Sequence, residues 1–258
     1  MVGEEELLAL ELIAARMSGF VLFNPILGRG NIPGYWKAGL ILVLTLFVYG
    51  LGYPEGISLP GTLLELAVKL LIELGVGFVL GFVVQLCFMV IQLGGEVIDM
   101  QMGLNMAQVY DASSQVNMTV TASLLNVLLV LNFFAENGHY TLLRILLTSG
   151  ELLPFGTAVL GQDVANYVVE IFLSCVLLAV KLAMPILAAE LLGEIGMGIL
   201  MKAIPQINAF VINIELKVII GLILLFLFLT PINEYLLGVE AEMLNHLRQA
   251  LSMMAGAA

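Results

Sequence analysis

Residues 62–93 read TLLELAVKLLIELGVGFVLGFVVQLCFMVIQL, an apolar run interrupted by three charges and no proline. As one helix it is about 48 Å long, against a bilayer hydrocarbon core of about 30 Å. A helix of that length must tilt strongly, break, or continue into a protein assembly. Residues 164–192 pose the same problem, with Pro185 inside the run expected as a kink.

Further apolar runs at 7–23, 38–53, 118–135 and 209–237 bring the number of membrane-length segments to six. Composition agrees. The chain is 61% hydrophobic and only 11% charged, whereas soluble domains average about 45–50% and about 25%. The expected fold is therefore an all-α polytopic membrane protein of about six long hydrophobic helices, with short re-entrant or amphipathic helices between them. A net charge of −11 excludes nucleic acid as a partner, because phosphate binding needs clustered Lys and Arg. The Met1–Glu6 start has no basic n-region or cleavage site, so no cleaved leader is expected.

The segments are separated by proline and glycine. NPILGRGNIPGYWK contains Pro25 and Pro33, GYPEGISLPG contains Pro54 and Pro60, and KAIPQIN contains Pro205. Proline removes a backbone donor and glycine permits positive φ, so each marks a turn. HYTLLRILLTS, 139–149, is amphipathic but too short to span, and is expected as an interfacial or bundle-packed helix. Arg29 and Lys37 flank the first loop and the second carries no base, which places loop one in the cytoplasm and the N-terminus outside.

Several polar residues lie inside apolar runs. Glu65, Lys69 and Glu73 follow one another at four-residue spacing, with Glu65 N-terminal to Lys69 in the orientation that favours an ion pair. The plain reading is a satisfied ion pair at a helix or subunit contact; a proton or ion path is the sharper one. Arg16, Lys181, Glu190, Glu194, Glu215 and Lys217 repeat the pattern, which suggests burial in a polar-seamed assembly. Gly77 and Gly81 form a G-x-x-x-G pair that permits close helix approach, within the chain or between subunits. Cys87 and Cys175 lack C-x-x-C spacing and read as small core residues. No metalloprotease, serine-hydrolase or P-loop motif is present, and His139 and His246 are far apart, so neither metal, cofactor nor catalysis is expected. Asn117-Met118-Thr119 matches a glycosylation sequon, a motif short enough to arise by chance.

One stretch stands apart. GGEVIDMQMGLNMAQVYDASSQVN, 94–117, is acidic, broken by glycine and dotted with methionine. Irregular backbone at membrane depth must be covered by protein or line a cavity.

Arg16 ahead of FNPILGRGNIPGYWK, then GGEVIDMQMGLNMAQVYD, GHYTLLRILLTS and PQINAFVINIELK, in that order, resemble the FliR family of flagellar export-gate membrane proteins and its injectisome counterparts. The match runs from about residue 12 to residue 237, with IDMQMG and PQINAF its most specific parts. Ala112 and Glu215 stand where the family often has proline. The ELK ending and short C-terminus lean flagellar.

The resemblance implies one subunit of a helical, pore-forming hetero-oligomer with FliP-like and FliQ-like proteins and an FlhB-like gate protein. It sits in the bacterial inner membrane at the flagellar basal body and passes unfolded proteins. It implies a FliP-like part at about 1–193 and a FliQ-like hairpin with tail at about 194–258, in a complex largely lifted out of the bilayer plane. It places a pore plug at about Gly103 to Asn117, with Met100, Met102 and Met106 as candidate sealing side chains, core packing being the alternative for each, and Tyr110 and Asp111 beside them. Gly94, Gly95 and Gly103 would let the backbone turn and move. Asp99 and Glu96 would cap or pair within the bundle. Pro205, Gln206, Asn208 and Phe210 form the family-motif turn, and Glu65, Lys69, Glu73, Lys181 and Lys217 the helix or subunit contact charges. Energy would come from a separate ATPase and the proton motive force. The main rival, a secondary transporter, predicts inverted repeats and a midplane site, neither evident. An intramembrane enzyme lacks a nucleophile–base or metal constellation.

Overall fold

The structure is a computed structural model and describes residues 4–52, 60–104, 108–111, 116–203 and 209–256. The elements in chain order are α1 (Glu4–Phe23), α2 (Gly34–Gly50), α3 (Leu63–Met102), β1 (Gln108–Asp111), β2 (Val116–Thr119), α4 (Val120–Ala135), α5 (Gly138–Leu147), α6 (Ser149–Leu152), α7 (Gln162–Ala203), α8 (Ala209–Leu227) and α9 (Leu229–Gly256). Each of the six apolar runs is mainly helical over its described residues, and the fold is all-α apart from one two-stranded hairpin among the described residues.

The two overlong runs neither break nor stop early. α3 has 40 residues and α7 has 42, so each is about 60 Å long, twice the hydrocarbon thickness. α7 continues through Pro185. Both are long and apolar enough to cross a membrane; the pairs Val120–Ala135 with Gly138–Leu147 and Glu215–Leu227 with Leu229–Ala255 pass the same test as bent pairs, giving up to four spans. The amphipathic segment is α5, entered through Asn137 at φ 58°.

The helices distribute into two compact units: Met1–Cys87 with Asn137–Leu173 and Ala241–Ala258, and Phe88–Glu136 with Ser174–Glu240. In the first, Leu8, Leu12, Ile13, Met17 and Phe20 of α1 are buried, as are Val76, Leu80 and Val83 of α3. α1 and α3 cross on glycine. A Cβ on Gly77 would fall on the Arg16 carbonyl and 2.7 Å from the Phe20 nitrogen, and one on Gly81 would lie 3.0 Å from the Phe23 carbonyl carbon. The G-x-x-x-G pair is therefore used inside the chain, against α1. The loop after α1 is tied by its own polar groups: Asn24 Oδ1 accepts the Ile26 and Leu27 N–H groups, and the Lys37 ammonium donates to the Gly28 carbonyl at 2.8 Å.

In the second unit the core holds Ile91, Ile98 and Met102 of α3, Leu125, Leu129 and Phe133 of α4, Leu182 and Ile186 of α7, and Leu236 of α9. Asn132 of α4 donates to Asn233 of α9 at 2.8 Å, and Tyr235 donates to the Leu178 carbonyl. Cys87 and Cys175 are both buried.

Candidate functional site

The stretch 94–117 divides differently from its sequence pattern. Gly94 and Gly95 do not turn the chain; they lie inside α3, where the absent side chain admits neighbouring helices. A Cβ on Gly94 would lie 2.7 Å from Leu182 of α7, and one on Gly95 would fall on Ala122 of α4. The turn comes at Gly103, whose φ of 79° is left-handed and whose missing Cβ would meet nothing within 4 Å. Conformation, not space, is what asks for glycine there.

Beyond that turn the chain forms an antiparallel hairpin in the register Gln108↔Thr119, Val109↔Met118, Tyr110↔Asn117, Asp111↔Val116. β2 leads directly into α4. The N-cap residue Thr119 makes no side-chain cap bond, and the cap comes from α3 instead. Asp99, fully buried, accepts the Thr121 N–H at 2.7 Å on one oxygen and the Thr121 hydroxyl at 2.5 Å on the other. A carboxylate there satisfies an otherwise orphaned amide and meets the positive end of the α4 dipole. The base of the hairpin is thus pinned by Asp99–Thr121 and by the Gly95–Ala122 approach. Glu96 instead accepts from Gln92 at 3.2 Å.

The three methionines part company. Met102 is fully buried and packs on α8: a Cβ on Gly221 would lie 2.5 Å from Met102 Cγ and 2.9 Å from Glu190 Oε1. Met100, on the same helix, is 64% exposed and free to fill a space outside the chain. Met106 lies outside the described residues. Tyr110 and Asp111 are in β1, with backbone placement only. Pro205, Gln206 and Asn208 lie outside the described residues, and Phe210 is in the first turn of α8.

The contact charges are not one set. Lys69 pairs with Glu65 at 3.2 Å on a partly exposed face. Glu65 also accepts the Gly61 N–H at 2.9 Å while its own N–H donates to Thr62 Oγ1, so Thr62 caps the start of α3 and Glu65 reaches back to the residue before the cap, a variant of the capping box. Glu73 turns inward. Eight positions at 3.6 residues per turn carry it about 80° round from Glu65, into a buried bidentate pair with Arg16 at 2.6 and 3.1 Å. Arg16 donates further to Ser149 and the Leu153 carbonyl and stacks 4.1 Å over the Phe155 ring; Glu73 also accepts the Gly156 N–H at 2.7 Å. Lys217 pairs with Glu194, which also accepts from Gln101, and Lys181 is exposed on α7.

Two features escaped the sequence reading. Thr62-x-x-Glu65 was legible as a capping signal before an apolar run. The Arg16–Glu73 partnership had no local signal, only the rule that a charge in an apolar run needs a partner. Among the described residues no cluster of His, Cys, Asp and Glu could hold a metal ion.

A family model described as "Bacterial export proteins, family 1" matches residues 7–242. The chain is 28% identical over 245 residues to the flagellar biosynthetic protein FliR of Escherichia coli strain K12, covering 92% of this chain and 90% of that one. It is 23% identical over 247 residues to the FliR of Bacillus subtilis strain 168, covering 94% of each. To the FliR of Aquifex aeolicus strain VF5 it is 27% identical over 233 residues, covering 90% of each.

Proposed function

The chain belongs to the bacterial export proteins, family 1, and from that premise we propose that it is the FliR-type subunit of a flagellar protein export gate in the bacterial inner membrane. It forms a pore with FliP-like and FliQ-like subunits, beside an FlhB-like gate protein, and the pore passes unfolded flagellar proteins. The observation that carries this reading is the family match across residues 7–242, supported by flagellar biosynthetic relatives that align over nearly the whole chain. About 1–193 is the FliP-like part and about 194–258 the FliQ-like hairpin and tail.

The exposed surface supports assembly. Along α7, Phe172, Leu177, Met184, Leu192, Ile195 and Ile199 are exposed, on a helix about twice as long as a bilayer core is thick. Such a helix finds apolar cover over its full length only if other protein chains extend the cover that lipid begins.

The hairpin between α3 and α4 serves as the plug. An isolated two-stranded hairpin is marginally stable, so the β1–β2 pair costs little to displace, while the Asp99–Thr121 joint holds its base. Methionine suits a seal because an unbranched thioether repacks against many shapes; Met100 and Met106 are the sealing side chains, and Met102 is the anchor that fixes the end of α3. Glu65 and Lys69 face a neighbouring subunit.

Affinity purification of the tagged chain from native membranes tests the assignment. The expected result is one large complex containing FliP-like and FliQ-like proteins. Elution of the chain alone, with no other membrane protein, defeats it.

A further inference from the structure

Of the nine Lys and Arg residues, three neutralise carboxylates, Arg16 with Glu73, Lys69 with Glu65 and Lys217 with Glu194. Arg29 and Lys37 donate to carbonyls of their own loop. Arg144 and Arg248 do neither. They line one hollow of about 200 Å³ in the first unit, and no carboxylate pairs with either among the described residues.

The hollow is lined from three helices, α5, α6 through Leu152, and α9. Thr141, Arg144 and Thr148 are spaced three and four apart along α5 and its C-terminal cap, so they share one face. Arg248 comes from α9, and the floor is the buried Ile145 and Leu251. The Thr148 hydroxyl already donates to the Arg144 carbonyl, which leaves two guanidinium groups and the Thr141 hydroxyl as donors. An arginine stem lies on apolar surface while its planar head stays polar, and that head matches a phosphate with two parallel hydrogen bonds.

We propose that this hollow binds a phosphate group, and that the group is the headgroup of an anionic membrane lipid. Two observations favour the lipid as source. The two guanidinium groups that line the hollow complement an anionic headgroup, and a lipid is supplied at high local concentration in the membrane plane. The floor is apolar and one of its walls is the amphipathic helix α5, the arrangement of an interfacial lipid contact. This inference requires a membrane protein but does not depend on the export-gate reading.

The test is native mass spectrometry of the full chain in neutral detergent, with phosphatidylglycerol, phosphatidylcholine of the same acyl chains, and inorganic phosphate as competitor. Phosphatidylglycerol is expected to be retained over phosphatidylcholine. Retention should fall about fivefold in Arg144→Ala or Arg248→Ala and about twenty-fivefold in the double variant, following about 1 kcal/mol per basic residue near a membrane surface. Lys202→Ala should change nothing, and the double Lys variant should keep most of the binding. Unchanged helicity by circular dichroism separates lost binding from lost fold. Displacement by inorganic phosphate at matched concentration makes the free anion the ligand of the same site; resistance to it makes the lipid the ligand. Equal retention by the double Ala variant, or equal retention of the two lipids by the parent chain, overturns the proposal.

Discussion

Glu73 and Asp99 are both buried acids on α3, and both fasten other segments of the chain to that helix, yet they do so with different partners. Glu73 meets a guanidinium head-on, and the pair is closed on every side by Ser149, the Leu153 carbonyl, Phe155 and the Gly156 amide. Asp99 has no cation among its partners. It holds one residue, Thr121, by an amide and a hydroxyl, in a unit where Glu190 Oε1 is buried without a hydrogen-bond partner. A pair of opposite charges sealed from water resists any motion that parts them, because each charge would be left bare. A carboxylate on a helix N-terminus is a weaker tie. The first arrangement suits a fixed frame and the second a looser joint.

Removing one partner of the closed pair gives the largest effect. Arg16→Ala or Glu73→Ala is expected to cost about 3–5 kcal/mol, read as loss of stability in denaturant unfolding of the detergent-solubilised chain. The double replacement Arg16→Met with Glu73→Leu should recover most of it, since no bare charge remains. A loss under about 1 kcal/mol in either single variant removes the contrast with Asp99. Asp99→Ala comes next, at about 1–2 kcal/mol. Its distinguishing readout is ion leak through the assembled complex, which the Glu73 variants that still assemble should not show. Smallest is Gly103→Ala, at about 1 kcal/mol for a left-handed residue that gains a Cβ. A tight seal retained by Asp99→Ala at full expression would make the two acids alike in role.

Much of this frame is legible in the sequence because apolar length is a strong signal. The runs at 62–93 and 164–192 exceed a bilayer, and the helices there are longer still. The end of α3 was hidden by its glycines. Gly94 and Gly95 read as breakers, but α4 and α7 pack so closely on them that the helix continues to Met102. The hairpin gave little warning, since QVYD and VNMT are too short for a clear alternation. Arg16 and Glu73 lie 57 positions apart, so no local spacing links them, whereas the Glu65–Lys69 pair was legible from its four-residue spacing and is formed. The acid at 99 was readable as a cap, but its target, Thr121, was fixed only by the fold.

The central question is whether the hairpin held by Asp99 closes the proposed pore. The direct measurement is the permeability of cells, or of liposomes bearing the purified complex, after removal of residues 103–117, with assembly verified by co-purification of the FliP-like and FliQ-like subunits. The account predicts an assembled complex that leaks small ions and solutes. A complex that assembles fully and keeps its barrier intact would contradict it.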